Sequence, residues 1–109
     1  MTNNMQKIHS LLGIAMRAGK LVSGEDGTMI DLKKGKLNLV IVAEDASVNT
    51  KEKFSRIAEQ NHIKIYFYGT IDELSHQVGK NNKAVYGVME QNFAKKMNQL
   101  FEEAKGAIC

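Results

Sequence analysis

Residues 37–47 read LNLVIVAEDAS. From Leu37 to Ala43 the only polar side chain is Asn38, and two acids, Glu44 and Asp45, follow. A continuous apolar run of this length predicts a strand over Leu37–Ala43 that is buried on both faces. Such a strand needs helices above and below it, which points to an α/β architecture.

Helical and extended patterns alternate on either side of this run. Upstream, Met5, Ile8, Leu12 and Ala15 recur at helical spacing, and Gly19 is a natural stop. Arg17 and Lys20 suit the negative end of that helix. Leu21-Val22 is a short extended piece. Ser23 is expected to open the second helix in a capping-box pattern with Asp26, and Gly35 to end it. Downstream, Asn49 with Glu52 predicts a third helix with Phe54, Ile57 and Ala58 inward, ending at Asn61 or His62. Ile63–Tyr68 reads as a strand. Thr70 and Glu73 again have capping-box spacing, opening a helix with Leu74 and Val78 inside and Gly79 as its stop. A polar loop, residues 79–83, leads into a strand over Ala84–Met89. The last helix is expected from Asn92, with Phe93, Met97, Leu100, Phe101 and Ala104 inward. Met5, Met16, Met29, Met89 and Met97 read as core filler. The fold class expected is α/β: a three-layer α-β-α sandwich with a mixed four-stranded sheet and helices on both faces. Ligands of such folds gather at one end of the sheet, on the strand–helix loops.

The chain has 109 residues, 43% hydrophobic and 25% charged, which fits one domain over residues 1–109. No run approaches the roughly 20 apolar residues of a membrane span, and residues 1–10 lack the pattern of a signal peptide. Cys109, the last residue, is the only cysteine, so no internal disulfide is possible. A cytoplasmic setting is expected. The net charge of +3 permits nucleic-acid binding without requiring it. Aromatics, at 6%, are too few for a base-stacking platform.

Most motif readings fail on chemistry. Gly24-Glu25-Asp26-Gly27 has the form of a G-x-x-G backbone clamp, but two acids between the glycines would repel phosphate. There is no dinucleotide fingerprint, and around Gly35-Lys36 the first glycine and the metal-binding hydroxyl of a phosphate loop are missing. Glu44 and Asp45 could hold Mg²⁺ only with further convergent ligands, and the favoured reading is a solvated turn. His9, His62 and His76 lie far apart and have no ligand-like neighbours. The sequence assigns no catalytic residue, no metal ligand set and no cofactor. Residues 23–36, SGEDGTMIDLKKGK, are more specific. The start of a helix offers free N–H groups to phosphate. Glu25, Asp26 and Thr28 could meet base edges, while Lys33, Lys34 and Lys36 hold the backbone.

These segments together resemble the ribosomal L-seven-Ae family of kink-turn RNA-binding proteins, in its bacterial YlxQ-like branch. The resemblance runs through RAGKLVSGE, VIVAEDAS, NTKEKF and GTIDELSHQVGK and covers nearly the whole chain. It implies an α-β-α sandwich and a non-catalytic, ribosome-associated protein that recognises a bent internal loop. The implied partners are structured RNA, ribosomal or regulatory, with ribosomal proteins as a second class. The protein is expected to be a monomer off the membrane. An alternative implied by the same fold is an RNA-recognition or protein-interaction module for a separate enzyme. The resemblance maps the contact glycine onto Gly24. Asp26 stands where the family's kink-turn readers have Asn, Gly27 where they have Glu, and Ile30 where they have Lys. Lys33 and Lys34, on the face of Ile30, are expected to supply charge there. A second contact loop maps onto residues 79–85. In it Lys80, Asn82 and Lys83 would touch the backbone and Val85 would pack on an extruded nucleotide. Ala46 and Ser47 would border the same site.

Overall fold

The computed structural model describes residues 4–108, with side chains described for residues 5–104. Cys109 lies outside them. Helices and strands alternate in the expected order: α1 (Asn4–Arg17), β1 (Leu21–Ser23), α2 (Glu25–Lys33), β2 (Leu39–Val42), α3 (Val48–Gln60), β3 (Lys64–Phe67), α4 (Ile71–Val78), β4 (Val85–Val88) and α5 (Gln91–Ile108).

The strands form one mixed sheet in the order β1-β4-β2-β3. β2 and β3 are parallel, whereas β4 runs antiparallel to both β1 and β2. Val40 and Gly87 are partners across β2 and β4, and Gly87 also faces Val22 of β1. The run that predicted burial on both faces is the central strand β2, every residue of which is buried. Its ladder extends beyond the regular strand, because Asn38 N–H bonds Val88 O and Ala43 N–H bonds Ala84 O, both at 2.8 Å.

Alternation along the strands sorts side chains into two cores. Leu39, Ile41, Tyr66, Tyr86 and Val88 pack against Ile8 and Leu12 of α1, Leu74 of α4 and Met97 and Phe101 of α5. On the other face, Val40, Val42 and Val85 pack against Leu32 of α2 and Phe54 and Ala58 of α3. The sandwich therefore has three helices on one face and two on the other.

Several boundaries differ from the sequence expectation. Ser23 belongs to β1, paired with Tyr86, so it does not cap α2; Gly24 does, without a side-chain bond. Ser47 rather than Asn49 caps α3, accepting the Thr50 N–H at 3.1 Å. The capping box of Thr70 and Glu73 is present, and α4 ends on left-handed Gly79. α5 starts at Gln91, where the Glu90 carboxylate accepts the N–H groups of Asn92 and Phe93. Met97 is fully buried, but Met5 and Met89 are 48% and 37% exposed and do not fill the core.

Gly87 sits where both neighbouring elements crowd in. An added Cβ would stand 2.6 Å from Leu37 Cδ1 and 2.9 Å from Val22 Cγ1. Gly87→Ala is expected to cost about 1–3 kcal/mol in denaturant unfolding, the usual range for overpacking.

Tyr66, Tyr68 and Tyr86 are pushed above the ordinary tyrosine value, first of all by burial. The fold keeps these phenolic protons to higher pH than the unfolded chain does, so unfolding releases protons in the alkaline range. Stability is expected to fall once pH rises past about 10. Thermal melts from about pH 8 to about pH 11 would show this, with a smaller fall in Tyr66→Phe.

Candidate functional site

The antiparallel course of β4 determines what comes together. β1 and β2 finish at the end of the sheet where β4 begins. The β1–α2 turn, the β2–α3 loop and the α4–β4 loop therefore meet there.

Gly24 makes the sharpest of these turns. Its φ of 93° and ψ of 155° lie in a region reserved almost wholly for glycine. Its N–H donates to Val85 O at 2.8 Å and its carbonyl accepts the Thr28 N–H at 3.1 Å. One residue thus closes the β1–β4 pairing and starts α2. No side chain caps α2, so its first-turn N–H groups are left to the positive end of the helix dipole.

Lys83 comes from the α4–β4 loop to this same point. A Cβ placed on Gly24 would be 3.6 Å from Lys83 Nζ, so the ammonium lies alongside the glycine. The Lys83 backbone is held from two sides. Its N–H donates to Ser75 Oγ at 2.8 Å, and its carbonyl accepts from the Tyr86 hydroxyl at 2.8 Å. Burial raises the pKa of Tyr86 above the ordinary tyrosine value. Asn82 precedes it in a left-handed conformation, φ 53°. The result is a cation and a helix start aimed at one spot, the combination that binds an anion.

One oxygen of Glu25 is engaged within the protein. Its Oε1 accepts from Thr50 Oγ1 at 3.1 Å and from Lys53 Nζ at 3.2 Å. Ser47 Oγ donates in turn to Thr50 Oγ1 at 2.9 Å. The carboxylate therefore ties the start of α2 to the start of α3. Lys53 and Glu25 are both well exposed, so the ion pair adds little stability and mainly fixes geometry. Asp45 plays a similar part on the other side: its Oδ1 accepts the Ile71 N–H at 2.8 Å, joining the β2–α3 loop to α4. Among the described residues, no group of three or more His, Cys, Asp or Glu could hold a metal ion.

Together these loops enclose a cavity of about 450 Å³, lined by Gly24, Glu25, Asp26, Ser47, Asn82 and Lys83. Thr50 and Ile71 also line it, with Ala46 and Ala84. Thr50, Ile71 and Lys53 were not foreseen. Thr50, three residues after Ser47, was the available signal, but it was obscured once the helix start was placed at Asn49.

Other expected residues lie elsewhere. Thr28 and Val85 are fully buried, so neither can touch a base or an extruded nucleotide. Val85 packs in the core beneath α2 and α3, because it is an inward position of β4. Thr28 faces inward on α2, and its hydroxyl has no partner among the described residues. Gly27 serves packing: an added Cβ would be 3.3 Å from Val22 Cγ2, so its bareness seats α2 on β1. Lys33, Lys34 and Lys36 are exposed at the far end of α2. At 1.5 Å per residue, Lys33 is roughly 12 Å along the axis from Glu25. These lysines do not replace a charge inside the cavity. Lys80 lines a neighbouring polar cleft with Asp72, His76 and Asn82.

The model of the family described as "Ribosomal protein L7Ae/L30e/S12e/Gadd45 family" matches residues 6–98. The chain belongs to this L7Ae/L30e family. It is 39% identical to the RNA-binding protein YlxQ of Enterococcus faecium over 99 residues, covering 91% of this chain and 95% of the relative. A Bacillus halodurans protein of unknown function superposes with a TM-score of 0.85 at 32% identity, covering 88% of this chain and 97% of that one. The Giardia lamblia 15.5kD RNA binding protein shares the L7Ae/L30e fold, with a TM-score of 0.79 at 14% identity over 97% of this chain and 92% of that one.

Gly24→Ala tests the turn on which the cavity depends. The space would admit a methyl group, so the cost is conformational: about 1–3 kcal/mol in denaturant unfolding. A Gly27→Ala control meets a tight but movable Val22 methyl and is expected to cost less.

Proposed function

We propose that this protein binds RNA through the cavity at the start of α2 and recognises a sharply bent, kink-turn-like internal loop in a ribosome-associated RNA. The observation that carries this reading is the Lys83 ammonium beside Gly24 at an uncapped helix start. A phosphate seated there would meet a cation, several N–H donors and the favourable end of the helix dipole. The name of the Enterococcus faecium relative, an RNA-binding protein, supports the same reading.

The cavity's shape favours irregular RNA over plain duplex. Its wall combines polar groups with Ala46, Ile71 and Ala84, an apolar surface against which an unstacked base would pack. Asp26 is exposed on the first turn and offers only acceptor oxygens. Amino groups on guanine or cytosine are suited to it. Glu25 keeps α2 and α3 at a fixed spacing under the RNA. Lys80, in the neighbouring cleft, and Lys33, Lys34 and Lys36, at the far end of α2, would act at longer range on neighbouring phosphates, which orient the RNA without reading sequence.

A labelled kink-turn RNA and a straightened control of equal charge provide the test. The bent RNA is expected to bind more tightly, and equal affinities would remove the shape-specific part of the proposal. Lys83→Ala should weaken binding about tenfold or more, the scale of one charge-assisted hydrogen bond. It should also make the slope of log affinity against log salt shallower by about 0.7–0.9, one phosphate's share. Lys33→Ala with Lys34→Ala should reduce affinity less than Lys83→Ala does.

A further inference from the structure

The opposite edge of the sheet carries a second surface. β3 is an edge strand whose pairing is with β2. Tyr68 N–H reaches Val42 O at 2.9 Å, so alternation turns the N–H and C=O groups of Ile65 and Phe67 toward the open edge. Among the described residues no other strand pairs there.

A cleft of about 350 Å³ runs along that edge. Ile65 and Phe67 form one lip; Met5, Phe101 and Ala104 form the other. Phe67 and Met5 are 43% and 48% exposed, which places two large apolar side chains at one groove. The wall behind them is well braced. The Tyr66 ring stacks on Phe101 with centroids 4.2 Å apart, and Tyr68 meets the same ring edge-on at 5.3 Å. Both tyrosine hydroxyls are engaged within the protein, Tyr66 with Glu102 at 2.6 Å and Tyr68 with the Met5 carbonyl at 2.9 Å.

Among the described residues, those that line the groove include one acid and no base. Glu44 lines it, and Glu102 is bonded to its Tyr66 wall. Burial, then the fields of Glu73 and Glu44, raise the pKa of Tyr68. Lys64, at the start of β3, is the cation on the strand itself. An RNA phosphate or an acidic peptide would be repelled here. The groove also shares no lining residue with the cavity at Gly24.

We infer that the outer edge of β3 binds an extended basic segment of a partner protein, which adds to the sheet as a strand. Its backbone pairs with Ile65 and Phe67. A lysine or arginine side chain reaches Glu44, and an apolar residue packs on Phe67. The protein would then connect an RNA at one end of the sheet to a basic protein segment at the β3 edge.

The test uses the full ¹⁵N-labelled chain and a short synthetic peptide alternating lysine with valine. A glutamate-for-lysine version and a version carrying a central proline serve as comparisons. The lysine peptide is expected to move the amides of Ile65 and Phe67. The glutamate version should bind about tenfold more weakly or worse, as like charges dictate, and the proline version should lose binding. Glu44→Gln and Phe67→Ser, both at exposed positions, should each weaken the lysine peptide, and Phe67→Ser should leave RNA affinity unchanged. Equal binding of the glutamate peptide, shifts centred on Gly24 and Lys83, or no shifts at all would overturn the inference.

Discussion

The hydrogen bond from Gly24 N–H to Val85 O is the contact on which the site depends. It forms because β4 enters the sheet antiparallel between β1 and β2. The start of β4 is thereby placed at the finish of β1, and the loop carrying Asn82 and Lys83 meets the first turn of α2. A parallel β4 would have sent that loop to the other end of the sheet. Gly24 must also pass from strand to helix in a single residue, at angles that a side chain would strain. The local turn and the global strand order are therefore one constraint.

Around that contact the charges are divided by task. Glu25 is held in position by the Thr50 hydroxyl and the Lys53 ammonium and ties two helices together. Asp45 holds a third, through the Ile71 N–H. Asp26 remains an exposed acceptor on the cavity wall. Lys83 faces the helix start, while the lysines of the KKGK segment lie at the other end of α2. Acids at the head of a basic segment are thus structural ties and an exposed acceptor, with the cation delivered from a distant loop.

Much of the fold was legible because its signals are local. The apolar run of β2, the helical spacing in α1 and the capping box at Thr70 and Glu73 each carry their meaning within a few residues. The strand order was not legible, since the alternation of elements fits several sheets. Helix starts were misplaced where two polar residues competed: Ser23 was already committed to β1, and Ser47 outranked Asn49 by reaching the Thr50 N–H. The resemblance placed Gly24, Ser47, Asn82 and Lys83 in one region, and they do line one cavity. Thr28, expected at base edges, and Val85, which the resemblance set against an extruded nucleotide, are both buried, because facing on α2 and β4 is set by burial against the two cores. Thr50 and Lys53 escaped notice because their part depends on a tertiary contact with Glu25, 25 and 28 residues away in sequence.

In the proposed binding mode an RNA phosphate sits at the start of α2, beside Lys83. Amide chemical-shift mapping of the labelled protein with a kink-turn RNA tests it most directly. The largest shifts are expected at Gly24, Glu25, Asp26 and Gly27, with Asn82 and Lys83 moving together with them. Largest shifts at Lys33, Lys34 and Lys36, with the first turn of α2 unmoved, would contradict it.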